Sequence, residues 1–138
     1  PKGLMTQEDL EKITLTLKQR IKMNGASLTS VNYCLHLSDE KCDCRKPQPG
    51  LLKQAVKGRK IDFTKTWMVG DSWRDIRAGE ALGCKTIWVR LPGYRKKTTN
   101  PASGKVVYTN GKEDFTPDYV VTTFSKAVDI ILKEDSDD

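Results

Sequence analysis

The segment Thr66-Trp67-Met68-Val69-Gly70-Asp71-Ser72-Trp73-Arg74-Asp75-Ile76 changes its periodicity halfway along. Thr66 to Val69 is a short, mostly apolar run closed by Gly70-Asp71, the profile of a buried parallel strand. From Trp73 to Leu82 the apolar positions Ile76, Ala78, Ala81 and Leu82 predict a helix, with Gly83 to close it. Thr86 to Val89 and Tyr119 to Val121 repeat the strand profile further on. Strands alternating with helices argue for an α/β fold: a Rossmann-like, mostly parallel sheet with flanking helices.

Upstream, Leu10, Ile13, Leu17 and Ile21 recur every three or four residues. They predict an amphipathic helix that starts at a Thr6–Asp9 capping box and stops at Asn24-Gly25. Around Val31 and Tyr33 the period drops to two, predicting a short strand. Leu51, Leu52, Ala55 and Val56 predict a short helix beyond Pro47 and Pro49, with Gly50 as a hinge. Residues 92–117 are polar and rich in turn signals, so a long irregular insertion is expected, with Val106-Val107-Tyr108 before Asn110-Gly111 as a candidate hairpin. Ser125 can cap a last helix with Val128, Ile131 and Leu132 facing inward. The expected organisation is one domain over residues 1–133 and a disordered acidic tail over 134–138.

The 138 residues carry a formal net charge of +6, with four acids concentrated in the last five residues. A basic body suits an anionic partner such as a phosphorylated small molecule, although a solvated basic surface has the same composition. Arg95-Lys96-Lys97 fits either reading. No apolar run is long enough to span a bilayer, so no membrane partner is expected. Three of the four cysteines cluster around the single histidine, which favours metal binding in a reducing, cytoplasmic compartment over disulfides. Cys84 stands apart and reads as a small buried hydrophobe.

The cluster is Cys34, His36, Cys42 and Cys44, followed at once by Arg45-Lys46. Three thiolates and an imidazole make a complete tetrahedral set for Zn2+. Each extended Cys-x-His or Cys-x-Cys half turns both side chains to one side, and the intervening residues can fold the halves around one ion. This predicts a closed structural zinc loop over residues 34–46. Ligation leaves His36 unable to serve in a Ser-His-Asp arrangement. No Gly-x-Gly-x-x-Gly or Walker lysine loop is present, and the spacing is not that of a DNA-reading finger. A nucleic-acid partner is therefore disfavoured.

Ligands of open α/β sheets sit at the carboxyl ends of the strands. Asp71 follows one such end, where its carboxylate could hold Mg2+, and Asp75 could orient that site one helical turn later. The competing reading makes Asp71 a helix N-cap and Asp75 an ordinary first-turn acid. Lys46 could neutralise phosphate oxygens, and Arg45 could add a planar fork for a second group.

The combined pattern Cys34-x-His36…Cys42-x-Cys44-Arg45-Lys46-Pro47-x-Pro49-Gly50, then Met68-Val69-Gly70-Asp71…Asp75-Ile76-x-Ala78-Gly79, closely resembles the haloacid-dehalogenase (HAD) superfamily. Within it, the chain looks like the D-glycero-D-manno-heptose 1,7-bisphosphate phosphatases and their histidinol-phosphatase relatives. The resemblance implies hydrolysis of a phosphate monoester through an aspartyl-phosphate. It also implies structural Zn2+ on Cys34, His36, Cys42 and Cys44, a catalytic Mg2+ on Asp71, a phosphoryl-stabilising Lys46, and a substrate contact at Arg45. Asp75 and Ser72 are carried along as the second carboxylate of the site and as a substrate-binding hydroxyl. Ser72 stands where many heptose enzymes carry a lysine.

One departure is large. The superfamily's nucleophile and acid/base partner lie in an Asp-x-Asp motif at the end of the first strand, and no such strand-end motif occurs here. A phosphate-binding Ser/Thr segment at the end of the next strand is absent too. The sheet is therefore expected to be incomplete at the N-terminus, with a preceding segment or a companion chain supplying the nucleophile. The alternative expectation is a non-catalytic, zinc-stabilised module of the same fold that binds a protein or RNA partner.

Overall fold

The computed structural model describes residues 6–36 and 41–136. Helix α1 (Gln7–Met23) opens as its cap residues predict: Asp9 N–H donates to Thr6 Oγ1 at 3.1 Å, and Thr6 N–H to Asp9 Oδ2 at 3.0 Å. A short α2 (Gly50–Ala55) follows the cysteine-rich segment. Strand β1 (Trp67–Gly70), helix α3 (Trp73–Leu82) and strand β2 (Lys85–Val89) then form a continuous βαβ unit. After an excursion over residues 90–118, strand β6 (Tyr119–Val121) and helix α4 (Phe124–Ser136) complete the fold.

The main sheet is parallel in the order β1-β2-β6, so β2 is central, as expected for an α/β chain. Its alternation sorts the core. Trp88, fully buried, faces α3 and packs with Trp73, Ile76 and Phe115. Ile87, also fully buried, faces the other way onto Val121 and Ala127, with Trp67, Val69 and Ile131 around them. Gly79 lets α3 settle onto the sheet, because a Cβ there would stand 2.6 Å from Met68 Cβ. Asp118 clips β2 to the start of β6, accepting from Thr86 N–H at 2.8 Å and from its hydroxyl at 3.1 Å.

Several expectations are corrected. Val31–Tyr33 is not a strand; it lies beside α1, where Tyr33 Oη is 2.7 Å from Thr14 Oγ1. Alternating side chains alone do not make a strand without a ladder partner. Residues 92–117 are not irregular. They hold a three-stranded antiparallel sheet of β3 (Arg95–Thr99), β4 (Val106–Thr109) and β5 (Asp114–Phe115), in the order β3-β4-β5. The hairpin after Val106–Tyr108 is present as the β4–β5 pair. Thr123, not Ser125, caps α4: its hydroxyl accepts from Lys126 N–H at 3.2 Å.

Residues 134–136, expected in a disordered acidic tail, are helical. Helix α4 runs through Ser136, tied down by Tyr119 Oη donating to Glu134 at 2.9 Å; residues 137 and 138 lie outside the described residues. Cys84 is half-buried rather than buried, and that burial pushes its thiol above the ordinary range. No helix among the described residues is long and apolar enough to cross a membrane.

Candidate metal loop and phosphate site

The four proposed zinc ligands converge. Cys34, His36, Cys42 and Cys44 each offer one ligand atom, and all four atoms lie within 4.8 Å of one another. Cys34 Sγ is 3.1 Å from Cys44 Sγ, 3.7 Å from Cys42 Sγ and 3.6 Å from His36 Nδ1. All cysteines are free thiols. The hydrogen bond from Cys44 brings the Cys34 thiol down to about 7, while the same bond pushes Cys44 up to about 12. Three sulfurs and one imidazole nitrogen gathered in one small volume suit a tetrahedral Zn2+, which would cross-link the two halves of the loop.

The loop is closed by backbone as well. Gly50 N–H donates to Asp43 C=O at 2.7 Å, and a Cβ on Gly50 would collide with that carbonyl. Gly50 is thus a close-approach position and not a hinge, because only a missing side chain lets the start of α2 lie on the loop. Lys46-Pro47 is a cis peptide bond. Arg45 is exposed, with Nη1 3.4 Å from the His36 carbonyl, so it sits on the rim of the same loop.

Lys46 reaches from this loop to the sheet. Its ammonium donates to Asp75 Oδ1, and Asp75 is 4% exposed. The other carboxylate oxygen, Oδ2, accepts from Ser72 N–H at 3.1 Å and closes the capping box of α3. Ser72 is the N-cap, its hydroxyl accepting from Arg74 N–H at 3.3 Å. This overturns the reading of Asp71 as the cap and gives the Ser72 hydroxyl a structural partner. Asp75 is a first-turn acid, as the plainer reading had it, and it also anchors the lysine.

The Asp75 carboxylate lies directly over Gly70, since a Cβ on Gly70 would run into it. Lys46 and Asp75 are thereby stacked on the carboxyl end of β1, next to Asp71, whose side chain is exposed. Two stretches 29 residues apart are joined at the strand end that Asp71 follows, by the Lys46 ammonium and the buried Asp75 carboxylate. Lys46 and Asp71 can engage a phosphate, the ammonium through its oxygens and the exposed carboxylate through a divalent cation.

Two residues of this neighbourhood carried no sequence signal as functional groups. Trp88 Nε1–H donates to the Asp71 backbone carbonyl at 3.1 Å. Arg77, two residues after Asp75 on α3 and half-buried, donates through Nε and Nη2 to Asp114 C=O at 3.0 and 2.7 Å and through Nη1 to Glu113 at 2.9 Å. A tryptophan ending a strand at Trp88-Val89 was the available hint for the first; nothing local announces the second.

Residues 43–127 match the HAD-hydrolase-like family, and the chain belongs to it. Its parallel sheet and flanking helices agree with that membership. Among curated relatives, it is 34% identical over 103 residues to the D-glycero-beta-D-manno-heptose-1,7-bisphosphate 7-phosphatase of Pseudomonas aeruginosa, covering 75% of this chain and 51% of that protein. The enzyme of the same name from Haemophilus influenzae is 33% identical over 113 residues, covering 78% of this chain and 60% of the relative. A solved structure of D,D-heptose 1.7-bisphosphate phosphatase from B. bronchiseptica, complexed with magnesium and phosphate, superposes with a TM-score of 0.59 at 29% identity. That likeness covers 63% of this chain and 49% of the other. The chain thus spans about half the length of the curated relatives it matches.

Proposed function

We propose that this chain carries half of a Mg2+-dependent sugar-phosphate phosphatase site, acting on a heptose bisphosphate or a close analogue. The observation that supports it best is the Lys46–Asp75 pair held over Gly70 beside the exposed Asp71. That arrangement occurs in a chain whose relatives bear the heptose-bisphosphatase name and whose structural neighbour binds magnesium and phosphate.

In this reading the zinc loop is a support. Zn2+ on Cys34, His36, Cys42 and Cys44 fixes the loop, the loop presents Arg45 and Lys46, and Asp75 holds the Lys46 ammonium where phosphoryl oxygens arrive. Asp71 is the protein carboxylate that would hold Mg2+, which when bound neutralises phosphate charge. Ser72 and Arg45 line the approach of the sugar. The attacking carboxylate is supplied from outside these 138 residues, by a preceding segment or a companion chain. It bonds to phosphorus as the sugar–oxygen bond to phosphorus breaks, and water then releases inorganic phosphate.

The test is to supply an Asp-x-Asp-bearing first half, fused or as a separate chain, and to follow phosphate release from D-glycero-D-manno-heptose 1,7-bisphosphate. Lys46→Ala and Asp71→Asn should each abolish turnover, and full activity in either variant removes that residue from the site.

One observation favours the alternative of a non-catalytic partner-binding module. Helix α1 buries none of its residues, leaving Ile13, Leu15 and Leu17 between 41% and 57% exposed. Co-purification of a stoichiometric protein or RNA partner, with no turnover after complementation, would select that reading.

A further inference from the structure

The β-flap of β3, β4 and β5 is built onto the same strand end as the candidate site. Tyr108 of β4 and Phe115 of β5, with Tyr94 immediately before β3, surround Trp88. The Trp88 ring lies 5.2 Å from Tyr94, 4.9 Å from Tyr108 and 5.0 Å from Phe115, with Tyr94 and Phe115 edge-on. Trp88 is fully buried. With a ring packed on three sides, the indole cannot turn, so the direction of its N–H is fixed. That N–H points at the backbone carbonyl of Asp71.

The second tether comes from the opposite side of Asp71. Arg77 lies on the helix that begins two residues after Asp71 and forks onto the flap at Glu113 and Asp114. The flap therefore acts on both flanks of Asp71, packing against the β2 indole that bonds its carbonyl and accepting the Arg77 fork from the helix that follows it. Arg77 also lies over the Trp73 ring, its guanidinium carbon 5.1 Å from the ring centroid, which keeps the fork flat against α3.

We infer that the flap is a positioning device for the metal-binding aspartate: Trp88, clamped by Tyr94, Tyr108 and Phe115, holds the Asp71 carbonyl and so sets the direction in which the Asp71 side chain leaves the strand. Trp88 is a positioning residue, not a catalytic one, because it acts through Asp71. This rests on the reading of Asp71 as the Mg2+ carboxylate. It accounts for residues 92–117, which the zinc loop and the lysine leave without a role. A free peptide after Asp71 could rotate; a hydrogen bond from a rigid indole removes that freedom before any ligand binds.

The test has two arms. In the unsubstituted chain, NMR of the indole protons should show the Trp88 Nε1–H protected from exchange with solvent. Trp88→Phe, which deletes the N–H and keeps a ring in the cluster, should move the Asp71 and Ser72 amide resonances while leaving zinc content and the helical circular dichroism signal intact. In the complemented phosphatase, the same variant should raise the Mg2+ concentration for half-maximal rate about fivefold, the factor carried by one neutral hydrogen bond, with the sugar-phosphate KM unchanged. A freely exchanging indole, or unmoved Asp71 and Ser72 resonances in Trp88→Phe, overturns the positioning role, as does an unchanged Mg2+ requirement. Absence of turnover in the unsubstituted complemented protein would instead refute the phosphatase reading, and the NMR arm decides the positioning role without it.

Discussion

Removing the Asp75 carboxylate should loosen both the helix it caps and the lysine it holds. Asp75→Ala breaks the Ser72 N–H···Oδ2 bond at 3.1 Å and the ion pair to Lys46. A capping-box acceptor contributes about 1 kcal/mol. A charge-assisted bond contributes roughly 1.5–3 kcal/mol, but the Lys46 side chain is 41% exposed, so water compensates part of it. The sum is about 2–3 kcal/mol, which for a chain of this size lowers Tm by roughly 10 °C. The assay is thermal unfolding of the zinc-loaded chain, with Lys46→Met and the double variant completing a cycle. The cycle should show a coupling of about 1 kcal/mol between the two side chains. A Tm within about 2 °C of the parent, or zero coupling, would refute the claim that this pair joins the zinc loop to the sheet.

Other expectations are as direct. The purified chain should contain about one Zn2+, and chelation should destabilise it; a metal-free protein with a disulfide among Cys34, Cys42 and Cys44 would contradict the loop. Gly50→Ala forces a methyl group into the Asp43 carbonyl and should cost about 2 kcal/mol or more, read as a lowered Tm and weakened zinc retention. The Asp118 carboxyl is pushed up by burial, yet the Lys105 ammonium at 2.5 Å and the Thr86 N–H outweigh this and hold it below the ordinary range. Its stabilisation is therefore present above the unfolded carboxylate value of about 3.9 and is lost as pH falls through the depressed one. Asp118→Asn should flatten the acid limb of the stability–pH curve, and an unchanged limb would show that Asp118 does not contribute there.

What could be read from the sequence depended on how local the determinants were. The parallel sheet and α3 were legible because buried strands and a capped helix write their apolar pattern into a few consecutive residues, as in Trp67–Val69 and Ile76–Leu82. The convergence of Cys34, His36, Cys42 and Cys44 was legible because all four lie within eleven residues. The flap was not, since β3 consists of Arg95, Lys96, Lys97, Thr98 and Thr99, all exposed, and no inward apolar pattern announces it. It is specified at a distance by three aromatic rings closing on Trp88. The Lys46–Asp75 pair and the Arg77 fork were hidden for the same reason, each joining residues 29 to 37 apart. Val31–Tyr33 failed in the other direction, carrying a strand-like alternation with no ladder to join.

In the proposed site, the loop lysine and the strand-end aspartate engage one phosphate. Phosphate release from heptose 1,7-bisphosphate by the chain complemented with an Asp-x-Asp first half tests it most directly. Mg2+-dependent turnover is expected, and Asp71→Asn and Lys46→Ala should each eliminate it while zinc content stays intact. Turnover that survives both substitutions, or none in the unsubstituted complemented protein, would contradict it.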